Sequence, residues 1–210
     1  MDCHDCHQSC HPLRQKKSWN LFKFGFKKKP KNDNGLQRLA GTTIALVGAP
    51  NVGKSLLFNL LTDTYVTVSN YPGTTVEVAK GYTTIGGKPV MFLDTPGMYS
   101  LLSITEDEKV SRNLITAEKL DLIIHVVDAK HLGRMLNLTL QLIEAKLPVL
   151  LVVNMIDEAR KIGIWVNENQ LESQLNIPVV TMAAARKVGL KKLIAKVADY
   201  VQSSSLCATY

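Results

Sequence analysis

From residue 42 onward the chain alternates short apolar runs with amphipathic stretches. Thr42–Val47, Leu120–Val127, Val149–Asn154 and Pro178–Met182 are apolar and partly β-branched, the mark of strands buried on both faces. Val76–Ile85 and Lys88–Leu93 flank Gly86-Gly87, which predicts a two-residue hairpin turn. Between these runs, helical spacing predicts helices over Lys54–Leu61, Thr105–Glu118, Leu132–Ala145, Glu168–Leu175 and Leu190–Val201. The second of these opens with Thr105 and carries Glu108 three residues later, a capping box. Strands that alternate with helices imply an α/β fold, a mostly parallel six-stranded sheet with helices on both faces. Residues 1–38 have no periodicity and read as disordered. The expected division is an arm over 1–40, a domain over 41–203 and a frayed tail over 204–210.

The sharpest chemical signal sits where the first strand meets the first helix. Gly48-Ala-Pro-Asn-Val-Gly-Lys-Ser55 fits G-x-x-x-x-G-K-[ST], the phosphate-cradling loop. Glycines let backbone N–H groups close around phosphate oxygens, and the following helix N-terminus adds a favourable dipole. In this pattern Lys54 reaches the β- and γ-phosphates and Ser55 holds Mg²⁺.

Asn154-Met-Ile-Asp157 follows a buried-strand run, so it lies at a strand's carboxyl end, where ligands bind in open α/β sheets. A carboxylate such as Asp157 accepts hydrogen bonds from guanine N1–H and its exocyclic amine, a pair adenine cannot supply. The spacing is similar to the Asn-Lys-x-Asp signature of GTPases, with Met155 supplying apolar cover where lysine usually lies. Taken alone, the Asn or Asp could be an ordinary helix cap. Asp94-Thr-Pro-Gly97 resembles the Asp-x-x-Gly element of the same class, with Asp94 on Mg²⁺ through a water and the Gly97 N–H at the γ-phosphate. Taken alone it would be a plain turn. Thr75, within Pro72–Glu77, falls where a switch threonine belongs, although adjacent Thr74 offers the same hydroxyl.

Longer stretches narrow the resemblance. Ser69–Glu77, Asp94–Leu101, Val127–Arg134, Asn137–Glu144 and Asn154–Ala159 resemble the G domain of the ferrous iron transport protein B (FeoB) family. The similarity spans about Thr42 to Gln202. It implies a Ras-like P-loop GTPase that binds GTP or GDP with Mg²⁺ and regulates Fe(II) uptake beside a transporter membrane domain. The nucleotide contacts implied are Gly48, Asn51, Val52, Gly53, Lys54, Ser55, Leu56, Gly97, Asn154, Met155, Asp157, Ala184 and Ala185. Lys54, Asn51 and Thr75 would be catalytic, with Mg²⁺ on Ser55, Thr75 and Asp94. Asn51 occupies the position that helps coordinate potassium in a potassium-activated subset, where the ion does the work of an arginine finger. Met98 follows Gly97 where Ras-like enzymes often carry a water-positioning glutamine, so intrinsic hydrolysis should be slow. In the base loop Ala184 takes the place of a serine, leaving the Ala185 N–H to meet guanine O6.

Charge and cysteine place the remaining signals in the arm. Net charge is +7, of which residues 1–40 carry +6, so the basic character belongs to the arm. Cys3, Cys6 and Cys10 interleave with His4, His7 and His11, a composition suited to Zn²⁺ or Fe²⁺. It also fits a His/Cys-rich tail without metal, and it formally matches a c-type haem attachment motif. Trp19–Lys29 mixes aromatics and lysines, which suits an anionic membrane surface, RNA or a solvated linker. Nucleic acid is not the expected partner. No apolar run reaches the roughly 18 residues of a membrane span, and no signal peptide is evident. The expectation is a cytoplasmic module at the inner face of the membrane, its membrane part on a longer or separate chain. The alternative is a low-activity, GTP-gated binding module recruiting a partner or membrane through the basic arm.

Overall fold

The computed structural model describes residues 41–62, 64–72, 74–102, 105–117 and 120–204. The arm, with Cys3, Cys6 and Cys10, lies outside the described residues. The described elements run β1 (Thr42–Val47), α1 (Lys54–Leu61), β2 (Thr64–Asn70), β3 (Glu77–Ile85), β4 (Lys88–Asp94), α2 (Glu106–Ala117), β5 (Leu122–Asp128), α3 (Leu132–Glu144), β6 (Val149–Asn154), α4 (Ile156–Lys161), α5 (Glu168–Leu175), β7 (Val179–Thr181) and α6 (Leu190–Ser204).

All six expected strands form, in a sheet ordered β2-β3-β4-β1-β5-β6-β7. The sheet has seven strands, not six: Thr64–Asn70 pairs antiparallel with β3 at the edge. It carries no continuous apolar run, Val68 and Asn70 are exposed, and its register slips between Val66 and Val68. An edge strand of this kind lacks the doubly buried pattern that reveals its neighbours. The β1–β4, β1–β5, β5–β6 and β6–β7 pairings are parallel. β3 and β4 close a hairpin in which Ile85 faces Lys88 and both intervening glycines have positive φ, the backbone of a type I′ turn.

Period-two alternation divides the strands between two faces. Ile44, Leu46, Ile124, Val126 and Val152 pack with Leu57 and Phe58 of α1 and Leu193 and Val197 of α6. Ala45, Val47 and Ile123 face Ile115 of α2 and Leu138 and Leu142 of α3. Val127, Leu151 and Val153 face Ile156 and Ala159 of α4. The capping box is present: the Glu108 N–H donates to Thr105 Oγ1 at 3.2 Å, and the Thr105 N–H donates to Glu108 Oε2 at 3.3 Å. Helix α4 is one the periodicity did not announce. It has only six residues and opens on Met155 with φ 60°, without a side-chain cap. No helix among the described residues is long and apolar enough to cross a membrane.

Candidate nucleotide-binding site

The carboxyl ends of β1, β4, β5 and β6 deliver Gly48, Asp94, Asp128 and Asn154 to one edge of the sheet. The loop between β1 and α1 folds back on itself there. Lys54 Nζ donates to the Ala49 carbonyl at 2.9 Å and is buried. Gly53 caps α1 with φ 92°, no side chain caps the helix, and its first turn carries no acid. An uncapped helix start beside a buried ammonium is built to receive an anion. Side chains are excluded where the loop closes on its neighbours. A Cβ on Gly48 would lie 2.2 Å from the Val126 carbonyl oxygen, and one on Gly53 would lie 2.5 Å from Asn154 Nδ2. Asn51 is exposed, as are Pro50 and Ser55 in this loop, and has φ 62°. Val52 is buried, so it offers the loop its backbone, while Leu56 is exposed on the first turn of α1.

Lys54, Ser55, Asn51, Thr75, Asp94 and Gly97 line one cleft of about 700 Å³. Burial lowers the Lys54 pKa, opposed by Asp94; burial raises the Asp94 pKa, opposed by a Ser55 hydrogen bond and by Lys54. Both charges are therefore under-solvated, and a bound phosphate and cation would relieve each. Asp94 Oδ1 is buried with no hydrogen-bond partner among the described residues, an orphaned carboxylate oxygen on a group that a serine hydroxyl also meets. That donor set suits a hard cation such as Mg²⁺. Among the described residues no three His, Cys, Asp or Glu side chains gather into a metal cluster.

The Asp94–Gly97 element is pinned to the loop. Thr95 Oγ1 donates to the Leu46 carbonyl at 2.8 Å, and the Met98 N–H donates to the Gly48 carbonyl at 3.1 Å. Gly97 lies against Pro50, where a Cβ would meet Pro50 Cγ at 2.6 Å. The Met98 side chain is fully buried in the core shared with α2 and α3, so it does not face the cleft. Around the switch position the two threonines differ. Thr74 Oγ1 donates to the Tyr71 carbonyl at 3.0 Å and accepts from the Val76 N–H at 3.3 Å, whereas Thr75 is exposed on the cleft.

At the other end, Asn154 is a clasp. Its Nδ2 donates to the Val52 carbonyl and its Oδ1 accepts from the Ala184 N–H, both at 2.9 Å. It is buried, joining the Gly48–Ser55 loop to the turn at Ala184 with its side chain. Met155 takes a left-handed conformation, φ 60°, that turns the chain into α4 and sets Asp157 in the helix's first turn. Ala184 is buried and Ala185 exposed.

The ferrous iron transport protein B family model matches residues 42–197. The chain belongs to that family. It is similar to the Fe(2+) transporter FeoB of Campylobacter jejuni, 39% identical over 154 residues that make up 73% of this chain and 25% of that protein. The FeoB of Escherichia coli K12 is 39% identical over 155 residues, 72% of this chain and 20% of that protein. The chain thus spans about a quarter or less of these curated relatives. Among solved structures, the G domain of the Thermotoga maritima FeoB iron transporter superposes with a TM-score of 0.70 at 38% identity, covering 76% of this chain and 98% of that one. The described FeoB-family domain is the N-terminal G domain, a Ras-like P-loop GTPase fold.

Two polar residues escaped the motif reading. His125, at the centre of β5, is buried with its Nδ1 2.9 Å from Thr139 Oγ1, and burial together with Lys54 pushes its pKa down to about 3. A histidine inside an apolar run was its only sequence signal. Arg186, which ends the short 3₁₀ turn Ala184–Arg186, pairs through Nε with Asp157 Oδ2 at 2.8 Å. It lay inside the base loop, but an alanine-rich loop gave no sign of which side chain it would engage.

Proposed function

We propose that this domain binds and hydrolyses GTP and regulates Fe(II) uptake in concert with a membrane transporter domain carried on a longer or separate chain. One observation carries the reading: Lys54, Ser55, Thr75, Asp94 and Gly97 line one cleft, and Asn154 ties the loop that carries Lys54 to the turn at Ala184. The relatives' names as Fe(2+) transporters support the iron assignment.

Each residue has a part in this account. The uncapped start of α1 and Lys54 hold the β- and γ-phosphates, offsetting charge that grows on the leaving oxygens as water attacks in line. Ser55, Thr75 and Asp94 would hold Mg²⁺, which supplies charge neutralisation across the phosphates when bound. The Gly97 N–H would report the γ-phosphate, and its close approach to Pro50 leaves no room for a side chain there. Asp157 reads guanine, Met155 covers the base, and Asn154, Ala184 and Ala185 shape the base loop. Asn51 would hold K⁺ beside the phosphates, since its side chain is exposed on the cleft wall. The domain works in the cytoplasm, and the basic arm with Cys3, Cys6 and Cys10 is the segment proposed for the membrane face and for Zn²⁺ or Fe²⁺.

A second reading is a slow, GTP-gated binding module. The burial of Met98 favours it, because no side chain at that position reaches the attacking water. Phosphate release from Mg·GTP in potassium against sodium chloride at equal ionic strength separates the two. Faster turnover in potassium, lost in Asn51→Ala, supports the hydrolytic account; equal, negligible rates in both salts support the binding module.

A further inference from the structure

The ion pair between Asp157 and Arg186 bears on how the base is chosen, and rests on Asp157 being the guanine reader. Guanine presents two donors, N1–H and the exocyclic amine, and a carboxylate that reads both turns one lone pair of each oxygen toward the base. Asp157 Oδ2 is already engaged by Arg186 Nε at 2.8 Å. Asp157 is largely shielded, with 24% of its side chain accessible, whereas Arg186 is 60% accessible. The arginine is therefore the partner that can swing away. It is also tethered near its target, because the Arg186 N–H closes the 3₁₀ turn onto the Ala183 carbonyl, one residue from the Ala184 N–H held by Asn154.

We propose that Arg186 is a specificity-setting latch: it holds Asp157 Oδ2 on the lone pair that a base would use, and must release it for a base that needs both oxygens. A purine with a single donor on that edge, hypoxanthine, binds with the latch closed. The native domain thus holds GDP less tightly than an unlatched one would, while IDP is indifferent to the latch. An exposed ion pair is weak, so the effect is modest, about two- to five-fold in affinity.

The test is titration of GDP, IDP and ADP, each with Mg²⁺, into the whole chain as wild type, Arg186→Gln, Asp157→Ala and Lys191→Ala. Lys191 is an exposed lysine on α6 that controls for the loss of one surface positive charge. The latch predicts that Arg186→Gln tightens GDP two- to five-fold, leaves IDP within error of the Lys191→Ala control, and so raises the GDP-to-IDP preference. Equal changes for both nucleotides would mean a general electrostatic or structural role and overturn the latch. Weaker GDP binding in Arg186→Gln would make the arginine an orienting partner and overturn it as well. If wild type shows no preference for GDP over IDP or ADP, and Asp157→Ala changes nothing, the guanine-reading assignment itself fails.

Discussion

The phosphate loop and the segment around Thr75 face the same cleft but are held in opposite ways. The loop is tied on every side: Lys54 to Ala49, Val52 to Asn154, Gly48 to Met98, with side chains excluded at Gly48 and Gly53. Among the described residues of 71–76 the hydrogen bonds are local, Tyr71 N–H to the Val76 carbonyl and Thr74 to the Tyr71 carbonyl, while Tyr71 and Val76 rest against Val110 and Leu114 of α2. The first is a preorganised cradle; the second is a loop with no long-range hydrogen bond among its described residues, held to α2 by the apolar contacts of Tyr71 and Val76. Under the proposed function, the part common to GDP and GTP would be built in, and the part that senses the third phosphate would be ordered by it.

The strongest way to break this contrast is to remove the cradle's charge. Lys54→Ala should lower phosphate release at least about a hundredfold. The fold should survive in thermal unfolding, because a buried, under-solvated ammonium contributes little to stability. Loss of folding instead would make Lys54 a structural residue. Next, Asn154→Ala strands the Val52 carbonyl and the Ala184 N–H, and should cost about 2–3 kcal/mol in denaturant unfolding. An unchanged midpoint would mean that the two loops are held by something else.

Acid should loosen the cradle from beneath. His125 lies under the loop, its Cδ2 3.5 Å from where a Gly48 Cβ would sit, and it is neutral because its pKa is about 3 instead of 6.5. Between those values the unfolded chain binds a proton that the folded chain refuses, so stability rises with pH across the window and falls on acidification. From pH 6.5 to 4.5 this group's contribution should fall by about 2–3 kcal/mol. His125→Gln, measured at both pH values, should show a shallower dependence, and an unaltered slope would exclude the histidine as its source. The smallest effect separates the two switch threonines. Thr75→Ala should slow hydrolysis about tenfold if its oxygen is used only with the third phosphate present, a loss of about 1.4 kcal/mol in the barrier. Thr74→Ala, whose hydroxyl serves the local turn, should stay within about twofold of wild type. Equal losses would erase the distinction the structure draws.

The contrast also explains what could be read from sequence. The buried strands and the loop Gly48–Ser55 were legible because continuous apolar runs and obligatory glycines leave a local signature. Edge strand β2 was not, since one exposed face and a register slip blur its pattern. The order of motifs along the chain singled out Asp94, Asn154 and Asp157, of which only Asp94 lines the cleft, and said nothing of their partners. That Asn154 is a clasp, that Met98 turns into the core and that Arg186 reaches Asp157 depend on contacts between segments far apart or on one side-chain rotation. Thr74 and Thr75 are the plainest case: neighbours of identical chemistry, distinguished by the Tyr71 carbonyl that one of them meets.

Amide hydrogen exchange of the whole chain with Mg·GDP and with Mg and a non-hydrolysable GTP analogue tests the central claim directly. The account predicts that residues 48–55 gain the same protection with either nucleotide, while residues 71–76 gain it only with the analogue. Equal protection of residues 71–76 in both complexes, or none in either, would contradict a prebuilt cradle paired with a segment ordered by the γ-phosphate.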